Sequence, residues 1–319
     1  MDYTSKTRSD VYGISDIYLE LLLETEKKEI ENIKRKLENK TEINLNERNE
    51  ILKNNTSIKE NIEIKGYTFT VFKALSSLGI KPSMTCKMGM DEFGMVCQNE
   101  IQKTRINLFS KIGFGCTDSR IILASNGEPY KLFHKGISKN INYQEIEVLE
   151  AKTANSIFIE SSLLNNPNRR RVAKFITRIA KENKKKIIFD MNSLDVIVNN
   201  KEVCNEIIEI ADVVITPYDQ AYLFFEDNDR INIMKKAKRK NQVFIMKESK
   251  GFNFLKNNDY FFIERTSKPK VYSNQYFSAG VLFGIIMDYK LRDTARIAAF
   301  LSDKNIITDS ILDELNQLH

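Results

Sequence analysis

Three short segments constrain this chain more than anything else in it: KKIIFD at 185–190, ADVVIT at 211–216 and QVFIMK at 242–247, each centred on an unbroken apolar run. A strand with one wet face alternates polar and apolar residues, so runs of this kind belong to strands covered on both faces. Another such run lies at 156–160, and between these strands the apolar residues recur at helical spacing, over 169–183, 203–210, 218–225 and 231–240. Buried strands alternating with helices predict an α/β fold: a doubly wound, mainly parallel sheet with helices on both faces. Ligands of such sheets bind beyond the carboxyl ends of the strands. The 319 residues suit one large domain, and 1–319 is taken as one.

The flanking segments follow the same logic. VYGISDIYLELLL, 11–23, reads as a single buried strand, 70–78 and 91–103 as helices, and 80–87 as a strand. A β-rich stretch at 106–135 carries Gly113, Gly115 and the turn pair Asn126-Gly127. A hairpin at 251–263 and helices at 278–289 and 294–302 close the chain. Residues 24–60 differ from all of these. They are rich in Glu, Lys, Arg and Asn, lack Gly and Pro, and place Ile30, Ile33 and Leu37 on one helical face. Thr41 or Asn46 is expected to cap a second helix, and the whole reads as a charged, solvated helical insertion that could serve as an arm for a protein partner.

Composition excludes several classes of function. The chain contains no apolar run long enough for a transmembrane helix, and its polar start shows no secretory leader, so no membrane association and a cytoplasmic location are expected. Four scattered cysteines and two histidines predict neither a disulfide framework nor a metal cluster. Lys plus Arg exceed Asp plus Glu by 49 to 43, but the excess is spread along the chain, which argues against nucleic acid as a partner. His134 is expected at the surface, and Arg169, Arg170 and Arg171 on a solvated helix face.

Five stretches, in order, resemble the PfkB, or ribokinase-like, carbohydrate kinases. VYGISDIYLELLL is similar to the family's opening strand, and FKALSSLGIKPSMTCKMGMDEFG to its ALARLG-x-G-x-VG-x-D-x-FG block, with Leu78, Gly79, Gly89, Asp91, Phe93 and Gly94 at family spacing. FDMNSL resembles the FDxN strand end, ADVVITPYDQAYLFF the segment bearing NxxE, and YSNQYFSAGVLFGIIMDY the GAGDxFxAG helix start. The resemblance implies a ribokinase-like fold with a small β lid, here about 106–135, and ATP-dependent phosphorylation of a sugar or similar hydroxyl compound with Mg²⁺. By analogy it also implies a homodimer through the lid strands.

The departures from the family pattern fall on the chemistry. GAGD becomes Tyr272, Ser273, Asn274 and Gln275, so the family's anion hole acquires side chains and its base becomes an amide. Glutamine has no carboxylate and cannot take up a proton at neutral pH. The substrate-binding residues implied by the resemblance are Glu20 and Asp16 on the first strand, with Gly66 and Thr70 before the next helix. Those implied for the cofactor are Asp190, Asn192, Lys247 and Gly251, with Pro217 and Gln220 standing where NxxE would be. The expected function is therefore a sugar-kinase homologue with phosphoryl transfer lost or strongly reduced, acting through ligand binding or assembly. The alternative is an active kinase with a shifted base such as Glu20 or Asp190.

Overall fold

The computed structural model describes residues 8–54, 62–125, 127–304, 311 and 314. The chain opens with β1 (Val11–Ile14), β2 (Tyr18–Glu24), α1 (Lys27–Lys36), α2 (Leu45–Asn54) and β3 (Ile62–Lys65). Next come α3 (Tyr67–Ser77), β4 (Pro82–Gly89), α4 (Glu92–Gln102), β5 (Asn107–Gly113), β6 (Asp118–Ala124) and β7 (Tyr130–His134). The alternating region holds α5 (Val148–Thr153), β8 (Ser156–Glu160), α6 (Pro167–Glu182), β9 (Lys186–Asp190), α7 (Leu194–Asn199), α8 (Lys201–Ile208), β10 (Val213–Pro217), α9 (Tyr218–Phe225), α10 (Arg230–Ala237) and β11 (Val243–Lys247). The hairpin of β12 (Gly251–Lys256) and β13 (Asp259–Glu264) leads to α11 (Ser273–Ile286) and α12 (Leu291–Lys304).

Among the described residues nine strands form the main sheet in the order β13-β12-β11-β10-β9-β8-β1-β4-β5, parallel from β11 to β5 and antiparallel in the terminal hairpin. β8 and β1 are buried at every position, as continuous apolar runs require, and two apolar clusters pack against the sheet. Among the described residues no helix is long and apolar enough to cross a membrane.

The expected single strand at 11–23 is two strands in two sheets. After Ile14 the chain leaves the main sheet through Ser15-Asp16-Ile17, and Tyr18–Glu24 enters a second sheet of order β3-β2-β6-β7. The physical reason lies in the pattern: Val11–Ile14 is buried throughout, whereas Tyr18–Glu24 alternates half-buried and buried, a strand with one open face. This second sheet is the lid. Its composition differs from the expected 106–135, because Asn107–Gly113 is the edge of the main sheet while strands at 18–24 and 62–65 join the lid. Of the expected turn pair, Asn126 lies outside the described residues.

The charged insertion is less solvated than its composition suggests. Ile30, Ile33, Leu37, Ile43 and Ile51 are buried in one cluster with Leu19, Leu21, Leu23, Ile121, Leu123 and Leu132 of the lid. Each such side chain contributes roughly 1.5–3 kcal/mol on burial. The described part of the insertion therefore covers the lid's apolar face. Asn44, not Thr41 or Asn46, caps α2: its Oδ1 accepts from the Glu47 N–H at 3.0 Å while Glu47 accepts from the Asn44 N–H at 2.8 Å. His134 is buried rather than exposed, with Nδ1 3.1 Å from the Ile43 carbonyl oxygen, and so joins lid to insertion.

Candidate functional site

The chain's passage between the two sheets creates a cleft of about 390 Å³ beneath the lid, at the carboxyl ends of the main strands. Asp16 enters it from the β1–β2 crossing and Gly66 from the start of α3. A Cβ on Gly66 would stand 2.3 Å from the Asp16 carbonyl oxygen, so a glycine is needed for these two segments to touch. α3 then presents Tyr67 and Thr70 to the cleft.

Arg169 reaches the cleft from the first turn of α6, which Asn166 caps and Pro167 opens. Its side chain is 2% exposed, Nη1 donates to Asp16 Oδ2 at 2.5 Å, and Nε has no hydrogen-bond partner among the described residues. The expectation of a solvated face fails for Arg169 and holds for Arg171. Its position at the end of α6 nearest the sheet's carboxyl edge decides this. Two further acids complete the cleft. Glu160, the last residue of β8, accepts from the backbone N–H and hydroxyl of Ser162, and burial pushes its carboxyl up to about 7. Asp118, the first residue of β6, accepts from the N–H and hydroxyl of Ser138 at 3.2 and 2.8 Å, and burial pushes it up to about 6.

The most family-like block works as a buckle between sheet and lid. Asp91 caps α4 by accepting from the Gly94 N–H at 2.9 Å, and it also accepts from the hydroxyl and N–H of Thr117, the residue before β6, at 2.6 and 3.0 Å. Gly94 packs so tightly that a Cβ would meet the Gly89 carbonyl oxygen at 2.3 Å. Gly79, with φ +82°, ends α3.

α11 begins at Ser273, five residues earlier than expected, so the positions corresponding to GAGD span its N-cap and first turn. Tyr272 and Gln275 face the cleft under the lid. Asn274 lines a second cleft, of about 440 Å³, on the other side of the helix start. Ser273 is buried and donates to the Ser302 carbonyl at 2.9 Å. The Tyr272 ring lies under Lys65 Nζ, 4.6 Å from the centroid, so a cation–π contact from the lid edge stands where the family has glycine.

Beneath that first turn Asp190 is wholly buried. Its Oδ2 accepts from Tyr67 at 2.8 Å and Ser278 at 2.5 Å, and Oδ1 lies 3.5 Å from the Lys247 ammonium, itself 3% exposed. Burial lowers the Lys247 pKa and raises that of Tyr67.

The cleft under the lid thus gathers Asp16, Gly66, Thr70, Asn192, Tyr272 and Gln275, while Lys247 and Asn274 border the second cleft. Five expected residues line neither cleft: Asp190 and Ser273 are buried at the start of α11, and the other three lie elsewhere. Glu20 lies on the lid, bound to Arg120 at 3.1 Å and Lys65 at 3.9 Å, and so neutralises two cations of the cleft without lining it. Gln220 donates to the Asn192 carbonyl at 3.3 Å, behind the wall. Gly251 is buried at the start of β12, where a Cβ would meet the Ile263 carbonyl oxygen at 2.3 Å, a packing role. Sequence reasoning missed Glu160, Asp118 and Tyr67. Glu160 carried a usable signal, a carboxylate at the end of a buried strand at the ligand-binding edge.

A lidded cleft at the carboxyl edge of a doubly wound sheet, closed by a helix N-terminus, defines a small-molecule-binding α/β protein of the ribokinase-like class. Residues 42–304 match the description pfkB family carbohydrate kinase, and the chain belongs to that family. Among curated proteins none matches it. Similar solved structures include adenosine kinase from Sinorhizobium meliloti, at 14% identity and TM-score 0.80 over 98% of this chain and 100% of that one. A PfkB protein from Polaromonas sp. JS666 shows 12% identity and TM-score 0.77, covering 97% and 99%. Adenosine kinase from Schistosoma mansoni in complex with 2-fluoroadenosine shows 14% identity and TM-score 0.77, covering 95% and 96%. At such identities the likeness bears on the fold alone.

Proposed function

We propose that this chain is a pfkB-family protein that binds a small polyhydroxylated ligand, a sugar or nucleoside, under its lid in the cytoplasm, with phosphoryl transfer lost or strongly reduced. The observation that carries this reading is Gln275, an amide in the first turn of α11 facing the cleft, at the position of the family base. It can orient a hydroxyl but cannot accept its proton, a loss of ~10²–10⁴ in rate. Asp16, Asp118 and Glu160 opposite Arg169 offer acceptors and donors of the kind that hydroxyl groups use. Relatives named as adenosine kinases support a nucleoside as well as a sugar in the panel to be tested.

ATP and Mg²⁺ stand differently. The second cleft has Lys247, Arg230 and Arg265 and the start of α11, a donor set that fits phosphate oxygens. For Mg²⁺, Asp190 is already engaged by two hydroxyls and an ammonium, Glu248 is tied to Arg230, and Pro217 and Gln220 contribute no charge, which leaves the exposed Asp219 as the uncommitted carboxylate of the second cleft among the described residues. One carboxylate beside phosphate oxygens is a sparse but usable set for Mg²⁺, which keeps several waters.

One observation favours a second reading, an active kinase with a different base: Glu160 lines the same cleft with a carboxyl pushed up to about 7, a suitable value for proton transfer. Thermal-shift titrations with sugars and nucleosides, repeated on Asp16→Asn, test the binding reading. A shift in the wild type that the variant loses supports it; no shift with any member of the panel contradicts it. Turnover that Glu160→Gln abolishes would select the second reading.

A further inference from the structure

β5 ends the main sheet, and among the described residues no strand pairs with its outer side. An edge strand presents a row of backbone N–H and C=O groups to whatever can bond them, and folds blunt such edges with charge, proline or a cover. The other edges here are managed in that way. Residues 41–43 bond along β7, with the Phe133 N–H donating to the Thr41 carbonyl at 2.7 Å and the Ile43 N–H to the Phe133 carbonyl at 3.0 Å, while β3 carries Glu63 and β13 carries Asp259 and Glu264. β5, NLFSKIG, has neither proline nor acid, and its single charge, Lys111, is matched by Glu147 of the same chain. Apolar side chains gather at its carboxyl end. Phe114 is 91% exposed and Ile112 45%, and Met90, 69% exposed, is tied alongside by its N–H to the Gly113 carbonyl at 3.1 Å. At the other end Arg105 is exposed and takes no ion pair among the described residues.

We propose that β5 is the docking surface for a second copy of this chain, the two strands pairing antiparallel about a two-fold axis through Ser110. The residue pattern selects that occupant and that register. Opposed residues in an antiparallel pair share a face of the sheet, so a two-fold pairing of identical strands centres on one residue. Centring on Ser110 matches the whole strand, sets Leu108 against Ile112 and Phe109 against Lys111 of the other copy, and brings Phe114 of each copy to the end where Arg105 of the other stands unpaired. Centring on Lys111 would oppose two like charges. The seam is also continuous beneath: Leu108 packs on the cluster that holds Cys97 and Ile101 of α4, so Ile112 of one copy, exposed when the chain is alone, extends that cluster from the other side.

The test is sedimentation equilibrium of the full chain over a range of concentrations, beside variants at exposed positions whose folding is checked by thermal melting. A reversible wild-type dimer is expected. Phe114→Lys sets a cation against Arg105 of the other copy and should weaken the dimer about tenfold or more, and Arg105→Glu/Phe114→Lys, which restores opposite charges, should recover much of that loss. Register is read by mild oxidation. Ser110→Cys places two thiols across the axis, where opposed Cβ atoms lie about 4.5–5.5 Å apart, and should crosslink to a dimer, whereas Asn107→Cys should crosslink no more than the wild type. A chain that is monomeric at every concentration, a dimer that Phe114→Lys leaves intact, or a Ser110→Cys variant that crosslinks no more readily than Asn107→Cys overturns the proposal. A dimer broken only by changes in the lid assigns association to that surface and overturns it equally.

Discussion

Replacing Lys247 by Met removes the ammonium from a pair in which Asp190 is fully buried and Lys247 nearly so. At the observed 3.5 Å, two unit charges attract by ~5 kcal/mol at an effective dielectric of ~20. The net loss is smaller, because removing the lysine also removes its desolvation cost and Asp190 keeps the hydroxyls of Tyr67 and Ser278. Breaking one side of a buried pair costs about 3–5 kcal/mol, and the retained hydrogen bonds place this case near the lower end. Asp190→Asn, which strands the ammonium, is expected to cost a similar amount. The double variant Lys247→Met/Asp190→Asn leaves no uncompensated charge, so its loss should fall below the sum of the singles by about 2 kcal/mol or more. Urea unfolding followed by two probes, with the slope checked for constancy, measures all four corners. Singles that each lose under ~1 kcal/mol, or strictly additive losses, would refute the view that these two groups share a dry interior.

Other consequences follow from the lid and the cleft. Glu160 and Asp118 have folded-state pKa values of about 7 and about 6, raised from ordinary values of 4.5 and 3.8, so the folded state holds extra protons in between. Their contribution to stability is present below about pH 4 and is lost as pH rises through 6 to 7, with Glu160 alone accounting for about 3 kcal/mol. Melting temperatures of the unliganded chain should therefore fall between pH 5 and 8, and Glu160→Gln should flatten that fall; a profile identical in the variant contradicts the assignment. Deleting residues 26–54 uncovers Leu19, Leu21, Leu23 and Leu132, and should increase self-association over that of the intact chain, read by sedimentation. A deletion variant that is soluble and associates no more than the intact chain argues against the helices as a cover. Arg169→Met orphans Asp16 in the cleft and should abolish the ligand-induced thermal shift while costing about 2–4 kcal/mol of stability. An unaltered shift would remove Arg169 from recognition.

Much of the scaffold was legible because the physics that makes it is local. Continuous apolar runs gave β8 to β11 nearly to the residue, and Tyr218–Phe225 and Val243–Lys247 fall where periodicity and β-branching put them. The split after Ile14 was not read, although Asp16 and Glu20 interrupt the apolar run, because periodicity does not say that successive strands join different sheets. In the insertion, sparse apolar residues among many charges suggested solvation, yet five of them suffice to cover a four-stranded lid. Gln275, Tyr272 and Asn274 could be placed because their neighbours Phe277, Ala279 and Gly280 anchor the register. The buried links Arg169–Asp16 and Lys247–Asp190 span 153 and 57 positions in the chain, and no local pattern announces a contact between charges so far apart.

The central claim is that an amide at 275 is what removes efficient phosphoryl transfer. Transfer of labelled γ-phosphate from ATP to each member of the sugar and nucleoside panel, measured for the wild type, Gln275→Asp and Asn274→Gly/Gln275→Asp, tests it most directly. Negligible transfer by the wild type and a gain of about 10² or more in either variant is the predicted result. Rapid transfer by the wild type, undiminished by Gln275→Ala, would contradict it and move the base to another carboxylate of the cleft, Glu160 first among them.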